Sequence, residues 1–214
     1  MGERISKVVI VGGGSAGWLT AGVIAAEYQA DSDTDQPVDV VLIESPDIPT
    51  IGVGEGTWPS MRSTLQRIGL SETDFLRECD ASFKQGTFFR NWRMGSGDTY
   101  SHPFSVPSDY AETNLVPDWL EQNHAAPFAD AVTPQTALFA DCLAPKQITT
   151  PEYAFVVNYG YHLDAGKFAE LLRKHCTENL GVEHILANVS AINAAESGDI
   201  RSVATDRAVE WVQD

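Results

Sequence analysis

Three glycines spaced as Gly12-x-Gly14-x-x-Gly17 follow the apolar run Lys7-Val-Val-Ile-Val11 and open a stretch of helical composition. A strand, a glycine turn and a helix in that order can hold the pyrophosphate of a dinucleotide, and each glycine meets a separate need. Gly12 permits the tight turn, Gly14 lets backbone approach the phosphates, and Gly17 lets helix and strand pack closely. Ser15 and Ala16, inside the glycine turn, are cofactor-binding candidates with the glycines, and the N-terminus of the helix that follows holds the phosphate charge. Glu44 ends the next apolar run, Val38-Asp-Val-Val-Leu-Ile-Glu44. There a carboxylate accepts hydrogen bonds from a ribose hydroxyl and repels a 2′-phosphate. Its separation from Gly17 exceeds the usual ~20 residues, and the acidic segment 31–37 absorbs the excess. The competing reading is a glycine-rich turn that only connects strand to helix. The unit alone does not separate FAD from NAD.

These residues need elements to position them, and the first is a βαβ unit: strand 7–11, helix from Trp18 to about Ala30, and parallel strand 38–44. Gly52, Gly54 and Gly56 then suggest backbone pressed against a ligand, or a tight turn. A short helix is expected from about Pro59 to Ile68, stopped by Gly69. Ser71 and Asp74 form a capping-box-like start for another, through about Cys79. Ala81 to Trp92 reads as one strand. Between Arg93 and Pro151 periodicity fades and prolines recur, but six aromatic residues argue against disorder. An ordered, loop-rich excursion on the substrate side is expected there, with a short helix near Asp118 to Asn123. Asp164 is the expected N-cap of a helix to about Leu180, with Phe168, Leu171, Leu172 and His175 on one face. Strands are expected at 182–186, 189–194, 200–205 and 209–212.

Composition narrows the partners. Fourteen basic and 30 acidic residues give a net charge of −16, which repels nucleic-acid phosphates and anionic lipid. The apolar run 8–11 is far short of the ~20 residues that cross a bilayer, and the opening residues lack the apolar core of a secretory signal. A cytoplasmic protein, binding neither nucleic acid nor membrane, is the expectation. Cys79, Cys142 and Cys176 are far apart and form no CxxC pair, so no metal site is expected and burial is their default role.

Longer motifs carry a resemblance. Val11-Gly-Gly-Gly-Ser-Ala-Gly-Trp18 is followed by Gly52-Val-Gly-Glu-Gly-Thr-Trp-Pro59, Arg77-Glu-Cys-Asp-Ala-Ser-Phe-Lys84, His102-Pro-Phe104 and Tyr161-His-Leu-Asp-Ala165. This series resembles the flavin-dependent halogenases of the tryptophan halogenase family and covers nearly the whole chain. The resemblance implies an α/β, three-layer FAD-binding fold with a Rossmann-like parallel sheet. Residues 1–214 would be an incomplete FAD-binding domain and 93–151 its substrate-side insertion. It implies that reduced FAD, from a separate flavin reductase with no stable complex required, reacts with O2 and halide to give hypohalous acid. A lysine beside an electron-rich aromatic substrate, such as indole or tryptophan, then delivers the halogen to a ring carbon.

By this resemblance the lysine is Lys84. A lysine amine can donate a hydrogen bond to the hypohalous oxygen or become the nitrogen of a haloamine, and partial desolvation favours its neutral, nucleophilic form. The bland alternative is a solvated lysine on a strand edge. His102 and Phe104 match positions flanking the substrate, against a loop histidine and an ordinary buried phenylalanine. Val53, Gly54 and Glu55 match the strap that lines the flavin ring, against a structural turn. Ser45 adds an adenosine-ribose contact, and Val189 matches a position holding adenine through backbone groups. His162 and Asp164 match too, but are left out of the active site because a helix N-cap accounts for Asp164. Relatives are often homodimers. They are also more than twice as long, and their Gly-Trp-x-Trp-x-Ile-Pro signature and the catalytic glutamate paired with the lysine are not found in these 214 residues. The intact enzyme is expected to halogenate and these 214 residues, as an N-terminal fragment of it, to be inactive alone; another FAD-dependent monooxygenase and a truncated, non-catalytic flavin-binding module are the alternatives.

Overall fold

The computed structural model describes residues 5–30, 38–49, 53–122, 125–207 and 210–212. In chain order the elements are β1 (Lys7–Val11), α1 (Ser15–Ala30), β2 (Asp39–Glu44), β3 (Gly54–Gly56), α2 (Ser60–Arg67), α3 (Glu72–Glu78), β4 (Ser82–Lys84), β5 (Gly86–Arg90) and β6 (Thr99–Pro103). There follow α4 (Val116–Glu121), α5 (Phe128–Val132), α6 (Gln135–Ala140), β7 (Gly160–Asp164), α7 (Ala165–Asn179), β8 (Glu183–Leu186), β9 (Val189–Ala194), β10 (Ile200–Thr205) and β11 (Glu210–Val212). The fold is mixed α/β. It forms two units, one of Met1–Val53, Arg67–Leu70 and Asp164–Asp214, the other of Gly54–Gln66 and Ser71–Leu163.

In the first unit β1, β2 and β8 form a parallel sheet in the order β1-β2-β8. A parallel sheet is covered on both faces, so its central strand need not alternate apolar and polar residues. Accordingly Val40, Val41, Leu42 and Ile43 are all buried. Val41 and Ile43 join Ala187 and Val203 in one core cluster, with Val9, Ile185 and Val189 packed against it. Val203 belongs to the antiparallel meander β11-β10-β9. Leu42, pointing the other way, lies under α1 beside Gly17. Helix α1 packs on α7 through small residues, and a Cβ at Gly22 would stand 3.1 Å from Cys176 Sγ. Helices, parallel sheet and meander make the three expected layers.

Helix α7 begins as the sequence predicts: Asp164 is the N-cap, and its carboxylate accepts the Lys167 N–H at 2.9 Å. His175, on the expected apolar face, meets the Ile68 carbonyl through Nε2 at 2.7 Å. Cys176 and Cys79 are buried, and burial pushes the Cys176 thiol up to about 12. Cys142 departs from the expectation of burial. It is exposed, at a positive φ of 56° in a turn.

In the second unit β3, β7 and β4 form one sheet, and β5 and β6 an antiparallel hairpin. The single strand expected from Ala81 to Trp92 is corrected here. It divides at Gln85, whose carbonyl accepts the Phe104 N–H, so β4 and β5 serve different sheets. It also stops at Arg90, because Asn91 turns with φ 55°. Residues 93–151 are more regular than their periodicity suggested, holding β6 and three short helices. The prolines there do not break helices. Pro117 sits in the first turn of α4, and Pro127 and Pro134 are the residues before α5 and α6, positions that tolerate a missing N–H. The helix expected at 118–123 is α4. Asn123, the acidic segment 31–37, Gly52 and Val209 lie outside the described residues.

Candidate functional site

The glycine turn is built as its spacing requires. Gly12 has φ +120°, and its N–H donates to the Ile43 carbonyl at 2.9 Å, tying the turn to β2. A Cβ on Gly17 would stand 1.9 Å from the Gly12 carbonyl oxygen, so a side chain there forces the helix off the turn. Above Gly14 there is nothing within 4 Å, and α1 opens at Ser15 with its first N–H groups unpaired within the helix. Backbone donors facing open space beside a carboxylate suit the phosphate and ribose of a dinucleotide.

Gly13, which the spacing argument does not require, is also fixed. A Cβ there would lie 2.1 Å from Glu44 Cδ, so the Glu44 side chain rests on the turn. The Glu44 carboxylate is held from the far side by His184, Nε2 to Oε2 at 2.9 Å. Ser45 is tied into a loop network rather than left open. Its hydroxyl donates to Asn188 Oδ1 and accepts the Asp47 N–H at 3.2 Å. Val189 is half-buried at the start of β9, opposite Thr205. Val53 is half exposed and its carbonyl accepts the Ala165 N–H at 3.0 Å. Gly54 and Glu55 follow on β3, exposed.

The second unit assembles the surroundings of Lys84. The side chain is half-buried at the end of β4, with Nζ 5.8 Å from the Trp58 ring centroid and 5.5 Å from that of Phe104. Both distances fall within cation–π range, and the two rings pack at 5.5 Å. Opposite Lys84 on β7 stands Gly160. A Cβ there would meet the Thr57 carbonyl oxygen at 2.6 Å. His162, two residues on, shares the face of Lys84. Its Nδ1 and Lys84 Nζ converge on one point over Gly56, 3.3 and 3.1 Å from where a Cβ would be. Among the described residues no carboxylate pairs with Lys84, and no three His, Cys, Asp or Glu side chains could hold a metal.

Burial and then the Lys84 charge hold the His162 imidazole below its ordinary 6.5. A histidine lowered on folding stabilises the fold above its unfolded value, and that contribution is lost as pH falls through 6.5 toward the folded value. By NMR titration, His162 should therefore show a midpoint below 6.5. In Lys84→Met the midpoint should rise without regaining the unfolded value, since burial persists. An unchanged midpoint would mean that the two groups do not interact.

His102 and Phe104 lie at the end of the hairpin, and both line a cavity of about 490 Å³ with Tyr100, Tyr110 and Phe128. No Asp, Glu, Lys or Arg is among its lining residues. His102 is exposed and Phe104 is buried. Phe104 thus belongs to both the cavity wall and the lysine's surroundings. Of the residues the sequence picks out, Lys84 and Phe104 are brought into contact. Trp58 and His162 also stand beside Lys84, though the sequence points to neither as a site residue. A period-2 reading of Tyr161-His-Leu would have placed His162 on the face opposite buried Tyr161 and Leu163.

The profile of the tryptophan halogenase family matches residues 7–212. A tryptophan 7-halogenase of Lentzea aerocolonigenes is 31% identical over 96% of this chain and 40% of its own length. A tryptophan 6-halogenase of Streptomyces albogriseolus is 32% identical with the same coverage. The crystal structure of a tryptophan halogenase from Shewanella frigidimarina superposes with a TM-score of 0.91 at 50% identity, covering 98% of this chain and 41% of that one. A flavin-dependent halogenase from Xanthomonas campestris superposes at 0.81 with 29% identity, over 99% and 41% of the two chains. The chain therefore spans about 40% of the length of the relatives it matches. With the glycine turn, the three layers and the lysine-bearing strand in place, the match over 7–212 shows that this chain belongs to the tryptophan halogenase family.

Proposed function

We propose that these residues form the cofactor-binding and lysine-bearing part of an FAD-dependent halogenase acting on an electron-rich arene such as indole or tryptophan. The observation that carries the reading is the Lys84 amine, half-buried against Trp58 and Phe104 and matched to no carboxylate among the described residues. Gly12, Gly14, Ser15, Ala16 and Gly17 would hold the pyrophosphate, and Glu44 the adenosine ribose, with Ser45 and Val189 nearby. Val53, Gly54 and Glu55 would border the flavin ring. Bound reduced FAD, supplied by a diffusing flavin reductase, furnishes hypohalous acid from O2 and halide.

The work of the chain's own side chains begins at that acid. Lys84 Nζ donates a hydrogen bond to its oxygen, or exchanges one amine proton for the halogen with release of water. A ring carbon of the arene then takes the halogen and gives up a proton, which restores the amine. Neutral His162 beside the amine keeps a second positive charge from the point of transfer. Phe104 and the uncharged cavity wall suit a flat, apolar ring, and His102 can stack on or hydrogen-bond to it. A soluble cytoplasmic homodimer is part of the same proposal.

The test uses the purified chain with FAD, NADH, a flavin reductase, air, bromide and indole. A protein-bound yellow flavin and bromoindole by mass spectrometry support the proposal. Hydroxyindole without bromoindole favours a monooxygenase. Bound flavin without either product leaves a non-catalytic flavin-binding module, and absence of bound flavin overturns the assignment.

A further inference from the structure

Glu44 ends β2 with a side chain of three rotatable bonds, yet that side chain is only 21% exposed and rests on the glycine turn. What holds it there is His184, on the neighbouring strand β8 across from Leu42. The imidazole reaches Glu44 Oε2 through Nε2 at 2.9 Å. The ring in turn is braced edge-on by Trp18, with centroids 5.0 Å apart and planes at 71°. Trp18 is 1% exposed, so it gives the imidazole a fixed wall. Glu44 Oε1 then lies 2.4 Å from where a Gly13 Cβ would stand. A side chain at Gly13 would thus expel the carboxylate from its place.

We infer that His184 is the positioning residue for ribose recognition. It occupies one oxygen of Glu44, so that the other is presented over the glycine turn to a hydroxyl of an adenine nucleotide. This rests on the dinucleotide reading of the turn and deepens it, by naming what aims the carboxylate and what chemical group it reads. The geometry also gives two residues outside the glycine spacing a purpose: Gly13 leaves room for the carboxylate, and Trp18 braces the imidazole that grips it.

Calorimetric binding of ADP and 2′-deoxy-ADP to the chain tests this, because the two ligands differ only in the hydroxyl that Glu44 would accept. The native chain should prefer ADP by about tenfold, the worth of one hydrogen bond to a charged group. His184→Phe keeps a ring against Trp18 but removes the donor, and His184→Leu removes both. In whichever of the two folds, the preference should shrink to less than about twofold while 2′-deoxy-ADP binds nearly as before. His184→Gln, which retains an N–H donor, should recover part of the preference. A merely structural role would weaken both ligands alike. A tenfold preference that survives loss of the imidazole overturns the inference, as does equal binding of the two ligands by the native chain. If ADP does not bind the native chain at all, the dinucleotide reading falls and takes this inference with it.

Discussion

In a halogenase of the kind proposed, Lys84→Met should abolish haloarene formation while flavin oxidation continues. The thioether keeps the length of the lysine stem and its contacts with Trp58 and Phe104, but it has no N–H to hold hypohalous acid and no nitrogen to carry halogen. If the amine is the point of transfer, its loss should lower bromoindole yield by roughly a thousandfold, or about 4 kcal/mol of transition-state stabilisation. Consumption of NADH by the reductase and reoxidation of flavin by air need nothing from position 84 and should be unchanged. Mass spectrometry of product beside absorbance of NADH reads the two together. Bromoindole at the native rate from Lys84→Met would remove the lysine from the chemistry.

The largest effect on stability is expected at Glu72, a carboxylate 2% exposed at the start of α3. Its Oε1 accepts the hydroxyls of Tyr159 at 2.6 Å and Tyr161 at 2.7 Å. Its Oε2 accepts Lys146 Nζ at 2.8 Å and the Tyr153 N–H at 2.7 Å. Burial alone would raise the Glu72 pKa, but the hydrogen bonds from Lys146, the tyrosines and backbone outweigh it and hold the group below 4.5. Burial and the same carboxylate push the Tyr159 and Tyr161 phenols upward, so they remain donors. Glu72→Gln leaves the Lys146 ammonium without its counter-charge, with the Pro151 carbonyl and the Tyr159 hydroxyl as remaining acceptors, a loss of about 3–5 kcal/mol for a broken buried pair. At the ~2–4 °C per kcal/mol typical of a chain this long, the midpoint of thermal unfolding should fall by roughly 6–20 °C. Glu72→Gln with Lys146→Met removes both charges and should recover much of that loss. A single variant within 1 °C of native by calorimetry would contradict the account. The acid side follows by the same sign: a carboxylate lowered on folding stabilises above its unfolded value, and that stability is lost as pH falls below about 4.5.

These two residues also show what the sequence could disclose. The β1-turn-α1-β2 unit is local, its glycines, apolar run and acidic residue standing in the order in which they function, so both fold and role are legible. The Asp164 and Ser71 caps are local in the same way. The surroundings of Lys84 are not. Strands β3 and β4 are only three residues long, too short for period-2 alternation to stand out, and they join the longer β7 by pairing between distant segments. Only that pairing brings Trp58 and His162 to the lysine, so no window along the chain contains the site. The Glu72 network is hidden for the same reason. Its members lie on α3, in the loop around Lys146 and Tyr153, and on β7 and the residue before it, and a lone Glu in an amphipathic helix reads as surface. The prolines of 93–151 misled in the opposite direction, since a residue that opens a helix and one that interrupts it look alike in isolation.

Gly160 sets a limit on how this architecture can be altered. Bare backbone faces Lys84 there, pressed so closely on Thr57 that even one methyl group would collide with its carbonyl. The width of the space on that flank of the amine is therefore dictated by main chain and closed to tuning by substitution. Under the proposed function, any broadening or narrowing toward bulkier or slimmer arenes must be sought instead at the indole of Trp58 and the ring of Phe104, the two rings that flank the amine.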